Sequence, residues 1–363
     1  MKRKVLIIFI ALILMLTFTI LLLPNKKIKQ KQFSQGINVL PTMNDLITND
    51  SVWCGTFQLV WNDMKNEVVK QDIVFNPQIT MANNLNKEDF NENMLSKDSY
   101  YKIYEIKSKE LKEKIEKEIK EKFNQESDIL NEFDWDENPK DDNFVNYFFY
   151  VMLYKEFEFE KEFTKTTGTF KEVENVNFFG VENNAEMKEQ IKVIFYNNEN
   201  DFAISIQTKG NDEVILYKNP KGNTFNEIYE NLLKLKNNFK GNSEFSENDS
   251  FKMPVIDFNV KREYDELANK VFLTYDNNEA KIIKAIQTIT FSINSKGGKV
   301  KSEAAIDMKN YSAEKPIKKE KRKFYLDNTF ALFLKEKDKE KPYLAVKIDD
   351  ITKVQGNLKW TII

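Results

Sequence analysis

The sequence contains no histidine. That absence removes histidine acid–base catalysis, histidine-ligated metals and histidine pH switches. Cysteine occurs once, at Cys54, which excludes an internal disulfide and a cysteine-cluster metal centre. Glycine and proline number only 10 and 8 in 363 residues, which excludes collagen-like and low-complexity classes. Neither sign of charge dominates: 55 Lys and Arg face 57 Asp and Glu, a formal net charge of -2. No nucleic-acid partner is therefore expected. Apolar side chains are what the chain has in quantity. Hydrophobic residues are 41% and aromatics 13%, with 29 Phe, too much for a disordered chain.

Lys2, Arg3 and Lys4 precede an apolar run from Val5 to Leu23, followed by Pro24, Lys26 and Lys27. The run has roughly the ~20 residues that span a bilayer as a helix. Residues 1–29 are read as an uncleaved membrane anchor or signal segment, and the rest as lying outside the cell membrane. A single-pass protein with an extracellular domain is expected, or alternatively a secreted one. Residues 30–350 read as one domain, and 351–363 as a C-terminal tail.

Ser51 to Met64 places Trp53, Phe57, Val60, Trp61 and Met64 at helical spacing, with Asp50 or Ser51 as N-cap. Cys54 reads as a small buried hydrophobe. Residues 81–98 are polar and Asn-rich, which predicts loops. Ser108–Phe123 repeats Leu111, Ile115, Ile119 and Phe123 every four residues, an amphipathic helix for packing on a sheet. Asp134, Asp136, Glu137, Asp141 and Asp142 lack the turn glycine of a calcium loop, so no metal and no cofactor are expected. Phe144–Phe163 begins apolar and ends alternating, as a buried strand that emerges at one end. Short β-rich runs follow at Val173–Phe179, Ile191–Phe195, Phe202–Gln207 and Val214–Tyr217. A helix is predicted over Phe225–Phe239, strands over Phe251–Val260 and Ile282–Ile293, and a hairpin pair at Phe330–Leu334 and Tyr343–Ile348. Helices early and antiparallel strands late indicate an α+β fold.

In this order the elements resemble the serpin family. Asn146 to Phe163 looks like the family's central-sheet strand of asparagine, apolar run, Phe-Lys-Gly-x-Trp, then Phe. Asp128-Ile129-Leu130 and the helix before it fit the helix lying across that sheet. Pro254–Leu267 is similar to the family's Pro-x-Phe-x-x-x-x-x-Tyr-x-Leu segment. Lys284–Gly297 resembles the strand leading to the reactive loop, ending in the hinge glycine. Phe324–Phe333 resembles the segment after the loop. The chain departs from the family at Gln287, which replaces a histidine, and at Phe157 or Phe159, which replaces a tryptophan. Lys155 or its neighbour replaces a glycine, and Thr329 a proline. The resemblance covers residues 100–350. It implies a large, mostly antiparallel central sheet with smaller sheets, N-terminal helices and an exposed C-terminal reactive loop. It also implies a suicide-type inhibitor of a serine or cysteine protease, monomeric and not itself an enzyme. The alternative is a non-inhibitory surface or binding protein.

In that reading the loop hinge comprises Gly297, Gly298, Val300, Ser302, Glu303, Ala304 and Ala305. The scissile region lies among Tyr311, Ser312, Lys315 and Pro316. Side chains alternate along a strand. One face of the loop would carry Gly298, Val300, Ser302, Ala304, Ile306 and Met308, with no charge. The other would carry Lys299, Lys301, Glu303, Ala305, Asp307 and Lys309. Insertion with the uncharged face inward is thus permitted, whereas a one-residue slip would turn the charged face inward. Lys318–Lys323 reads as a solvated basic run, with polyanion binding as the sharper alternative. A cell-envelope enzyme using carboxylates alone ranks last, because no matched carboxylate pair stands out.

Overall fold

The computed structural model describes residues 33–136, 140–141, 144–299 and 321–355. The fold is α+β. Its largest element is a seven-stranded sheet with the spatial order Asn38–Leu40, Ser51–Cys54, Leu344–Ile348, Phe330–Glu336, Asp212–Lys218, Asp201–Gln207, Ile191–Asn198. All its pairings are antiparallel except the first, which is parallel. Val214, Leu216, Leu332, Leu334 and Val346 are wholly buried, each worth about 1.5–3 kcal/mol of hydrophobic stabilisation.

The helix Phe225–Asn238 packs on this sheet through Tyr229 and Phe225, whose rings meet Phe333. Its start is capped by side chains: Thr224 Oγ1 accepts from the Glu227 amide, and Glu227 accepts from the Asn223 amide. A four-stranded sheet in the order Lys323–Tyr325, Ser250–Pro254, Val173–Val181, Thr164–Phe170 shares the same core. Pro254 divides the predicted single strand 251–260, because Ser250–Pro254 belongs to this sheet and Ile256–Glu263 to the next.

The predicted helix over 109–123 forms, with Ser108 Oγ accepting from the Leu111 amide and Asn124 ending it in the left-handed region at φ 52°. Leu111, Ile115 and Ile119 pack on Phe148 and Tyr150 of the antiparallel pair Tyr100–Ile106 and Tyr147–Leu153. Residues 51–64 correct the reading of one helix. Ser51–Cys54 is a strand paired with Leu344–Ile348, and the helix proper is Thr56–Asp63. Asp50 is not a cap; its buried carboxylate accepts from the Asp349 and Asp350 amides and pairs with Lys353. The Asn-rich stretch holds a helix, Thr80–Asn86, whose Met81, Ala82 and Leu85 enter a second apolar cluster. In the expected tail, Ile351 and Val354 are buried, and Gln355 bonds to Asn177 and Val255.

The single-pass membrane placement is withdrawn. No helix among the described residues is long and apolar enough to cross a membrane, and the run Val5–Leu23 lies outside the described residues.

Candidate functional site

The strand Ile286–Asn294 pairs from Ile286 to Ile293 with Ile256–Glu263. Its burial alternates: Gln287, Ile289, Phe291 and Ile293 face inward, while Thr290 and Asn294 are exposed. After a turn at Ser295-Lys296 the chain doubles back as Gly297–Lys299. This short strand is seated between two others. It pairs antiparallel with Ser292–Asn294 on one side and with Glu156–Glu158 on the other. The turn is tied to the next segment, since Lys296 O accepts from the Phe159 amide and Ser295 O from the Phe163 amide, both at 2.9 Å.

Both glycines are demanded by the fit. Gly297 has φ +150°, and a Cβ there would lie 2.1 Å from the Phe157 carbonyl oxygen. A Cβ on Gly298 would lie 2.3 Å from Cζ of the buried Phe157 ring. Lys299 points the other way, is exposed, and pairs with Glu156 at 2.8 Å. Gly298 therefore faces the core and Lys299 the solvent.

Tyr147–Leu153 pairs with Tyr100–Ile106 on one edge only, and Ile286–Phe291 with Ile256–Glu263 on one edge only, among the described residues. The Tyr154 amide still bonds to Ser99 O. The run 147–158 is thus interrupted as a strand only at Tyr154-Lys155. The strands around the glycines do not form the largest sheet, as the resemblance implied. They form a four-stranded sheet, Ile256–Glu263, Ile286–Asn294, Gly297–Lys299, Glu156–Glu158, beside the 100–106/147–153 pair.

Beneath the slot lies a buried polar network. Lys155 Nζ is 2.6 Å from Asp212 Oδ1 and 2.7 Å from Glu336 Oε1, and it lies 4.8 Å from the centre of the Tyr343 ring. Glu336 also accepts from the Ser96 amide and hydroxyl and from the Ser99 hydroxyl, and Asp212 from Tyr343 OH. Burial works to raise the Glu336 carboxyl, but the Lys155 and Ser96 hydrogen bonds, with the lysine charge, outweigh it and hold it below the ordinary value. Gln287 is fully employed. It accepts from Tyr264 OH and donates to Cys54 O and Thr56 Oγ1, tying the slot strand to the start of the 56–63 helix. Burial pushes the Cys54 thiol up, which makes it unreactive.

Of the residues expected to form the loop hinge, Gly297 and Gly298 are among the described residues. Val300, Ser302, Glu303, Ala304, Ala305, Tyr311, Ser312, Lys315 and Pro316 lie outside the described residues. Arg322 corrects the view of Lys318–Lys323 as a uniform basic surface. Its guanidinium grips the buried Asp249 carboxylate and donates to the Asn242 and Glu244 carbonyls. Sequence reasoning missed Lys155 as a buried cation. Its partners stand 57 and 181 residues away, so no local signal marked it. Among the described residues no group of acidic or cysteine side chains is placed to hold a metal.

No family model matches the chain, and no curated protein matches it. Several solved structures are similar to it. They include thyroxine-binding globulin in complex with thyroxine, with 12% identity over 65% of this chain and 63% of that one and a TM-score of 0.39. Serpin48 of the insect Tenebrio molitor gives the same identity and coverages, also with a TM-score of 0.39. Human glycosylated kallistatin has 12% identity over 77% of this chain and 71% of that one, with a TM-score of 0.40. The chain thus spans just under two thirds of the length of the first two.

Proposed function

We propose that the protein is a serpin-like inhibitor of a serine or cysteine protease, acting by adding its own loop as a strand to the slot beside Gly297. The observation that carries this reading is the strand Gly297–Lys299, seated between Ser292–Asn294 and Glu156–Glu158 and paired antiparallel with both. Continuing the two antiparallel registers sets Val300 opposite Phe291 and Lys155, Ser302 opposite Ile289 and Leu153, and Ala304 opposite Gln287 and Val151. Phe291, Ile289 and Gln287 face inward, so the uncharged face of the loop meets the core. Lys301 and Glu303 fall beside Thr290 and Thr288, on the outer side. A loop in this register would hydrogen-bond to both walls at once, which is strand addition within one chain.

A protease that cuts among Tyr311, Ser312, Lys315 and Pro316 frees the segment to enter. The bond-breaking chemistry belongs to the protease, so the inhibitor needs no catalytic group of its own. Two measurements test the reading. Nicking the loop with a nonspecific protease should raise the melting temperature by 10 °C or more, roughly what several kcal/mol of new strand pairing gives in a domain of this size. A target protease should form a complex that survives denaturing electrophoresis. If nicking leaves the melting temperature unchanged, insertion does not occur and the domain is a non-inhibitory binding protein.

A further inference from the structure

The Lys155–Asp212–Glu336 triad holds more than an ion pair needs. One carboxylate neutralises a buried ammonium, yet this one meets two, and the second is a surplus charge that burial penalises. The two acids are a register pair on adjacent strands of the seven-stranded sheet, so the backbone fixes their spacing. Lys155 reaches them from the position before the strand Glu156–Glu158. Lys155 is 4% exposed, Asp212 6%, and Glu336 and Tyr343 0%, which separates these groups from bulk water.

The two carboxylates are not equivalent. The Ser96 amide, the Ser96 and Ser99 hydroxyls and Lys155 Nζ all donate to Glu336. Against the burial that would raise its carboxyl, those contacts keep it an anion, a proton acceptor 2.7 Å from the lysine nitrogen. On Asp212 the donors gather on one oxygen: Lys155 Nζ at 2.6 Å and Tyr343 OH at 2.9 Å both meet Oδ1. Burial, with the Asp212 charge beside it, pushes the Tyr343 hydroxyl well above its ordinary value and keeps it a donor. Such a donor stabilises the negative charge that grows on Oδ1 when a nucleophile adds to Cγ. A nitrogen this near a carboxyl oxygen also stands within about 3–3.5 Å of its carbon, the range of a near-attack geometry.

We propose that the triad is a self-modification site, in which Lys155 Nζ forms an amide with Cγ of Asp212 while Glu336 relays the proton and one water leaves. The ammonium first passes a proton to Asp212 Oδ2, a transfer that removes two charges from a dry site. The free amine adds to Cγ, with Tyr343 on Oδ1. Glu336 takes a second proton from the nitrogen and delivers it to Oδ2. The bond from Cγ to Oδ2 breaks, and water departs with both protons. The third hydrogen of the ammonium stays on the amide. Nothing is oxidised or reduced, no co-reactant is consumed, and the charge of the site is the same before and after. Holding the groups together is worth an effective concentration of roughly 10⁵–10⁸ M, and excluding bulk water opposes hydrolysis of the product. The bond joins strand Glu156–Glu158 to strand Asp212–Lys218 across 57 residues of sequence.

The test is mass spectrometry of the full chain, unfolded after purification and digested with trypsin. The wild type should yield Lys155 joined to the peptide that carries Asp212, at their summed mass less one water, with no cleavage after Lys155. K155R and D212A should yield unjoined peptides. In samples taken at intervals after synthesis, E336Q should link about 100-fold more slowly, the usual weight of positioned proton transfer. Unjoined wild-type peptides overturn the proposal, and that result decides the matter even where a variant does not fold. A bond from Lys155 to Glu336 overturns it too. E336Q that links as fast as the wild type overturns the relay. A cut between Lys299 and Arg322 gives a second readout. A bond to Asp212 leaves two bands on a denaturing gel, whereas a bond to Glu336 would keep the fragments together. None of these outcomes depends on whether the loop inserts.

Discussion

The seven-stranded sheet and the slot sheet are built from similar residues and finished differently. In the first, each inner strand is hydrogen-bonded on both edges, and its buried side chains are mostly apolar, with Asp212, Lys218 and Glu336 as buried charges. In the second, Tyr147–Leu153 and Ile286–Phe291 each have a strand partner on one edge among the described residues, and the three-residue strand Gly297–Lys299 pairs with short segments on both its sides. A closed sheet is a platform; an open one retains binding capacity that a further strand can use. The contrast locates adaptability in backbone pairing, since both regions pack Phe and Ile densely.

Breaking the link between the two regions should have the largest effect. K155M alone strands two opposed carboxylates, and a loss of about 3–5 kcal/mol is expected in chemical denaturation. A loss below about 1 kcal/mol would mean that the triad does not join the regions. L216A, a cavity in the closed sheet, should cost about 2–5 kcal/mol and lower the melting temperatures of intact and nicked protein equally. Unequal shifts would erase the distinction between platform and slot.

G297A should cost more than G298A. It sets a Cβ against backbone in the left-handed region, whereas G298A displaces a single ring. About 1–3 kcal/mol is expected for the ring displacement, and the reverse order would contradict the seating of the strand.

Acid should act on the network before it acts on the apolar core. Glu336 titrates below its ordinary value when folded. Its contribution is therefore complete above the unfolded glutamate value of about 4.3 and is lost as pH falls through the depressed folded one. The stability difference between wild type and E336Q should shrink in that window and stay level from pH 6 to 8. The smallest effect concerns Cys54, which should react with a thiol reagent only on unfolding, given its burial and raised pKa; ready labelling of the native protein would place the strand Ser51–Cys54 at the surface.

Much of this architecture was legible because periodicity is local. Leu111, Ile115 and Ile119 marked their helix, and the alternation around Phe291 marked the slot strand. The strand Ser51–Cys54 was misread because Trp53, Phe57 and Trp61 are spaced by four across a boundary. Gly55 was the available sign of a break there. The orientation of Gly298 and Lys299 followed from counting by twos. Lys155 could not be read in advance, since a lone lysine in an aromatic run acquires its meaning from Asp212 and Glu336, which only the fold brings near.

The grip of Arg322 on Asp249 has a mechanical consequence. Whatever is severed between Lys299 and Arg322, the fragment beyond the cut still contributes Phe330–Glu336 and Leu344–Ile348 to the middle of the seven-stranded sheet. Two polypeptides would then travel as a single particle, inseparable by size until denatured, and the earlier sequence of events would be written in the gel rather than in the shape of the molecule.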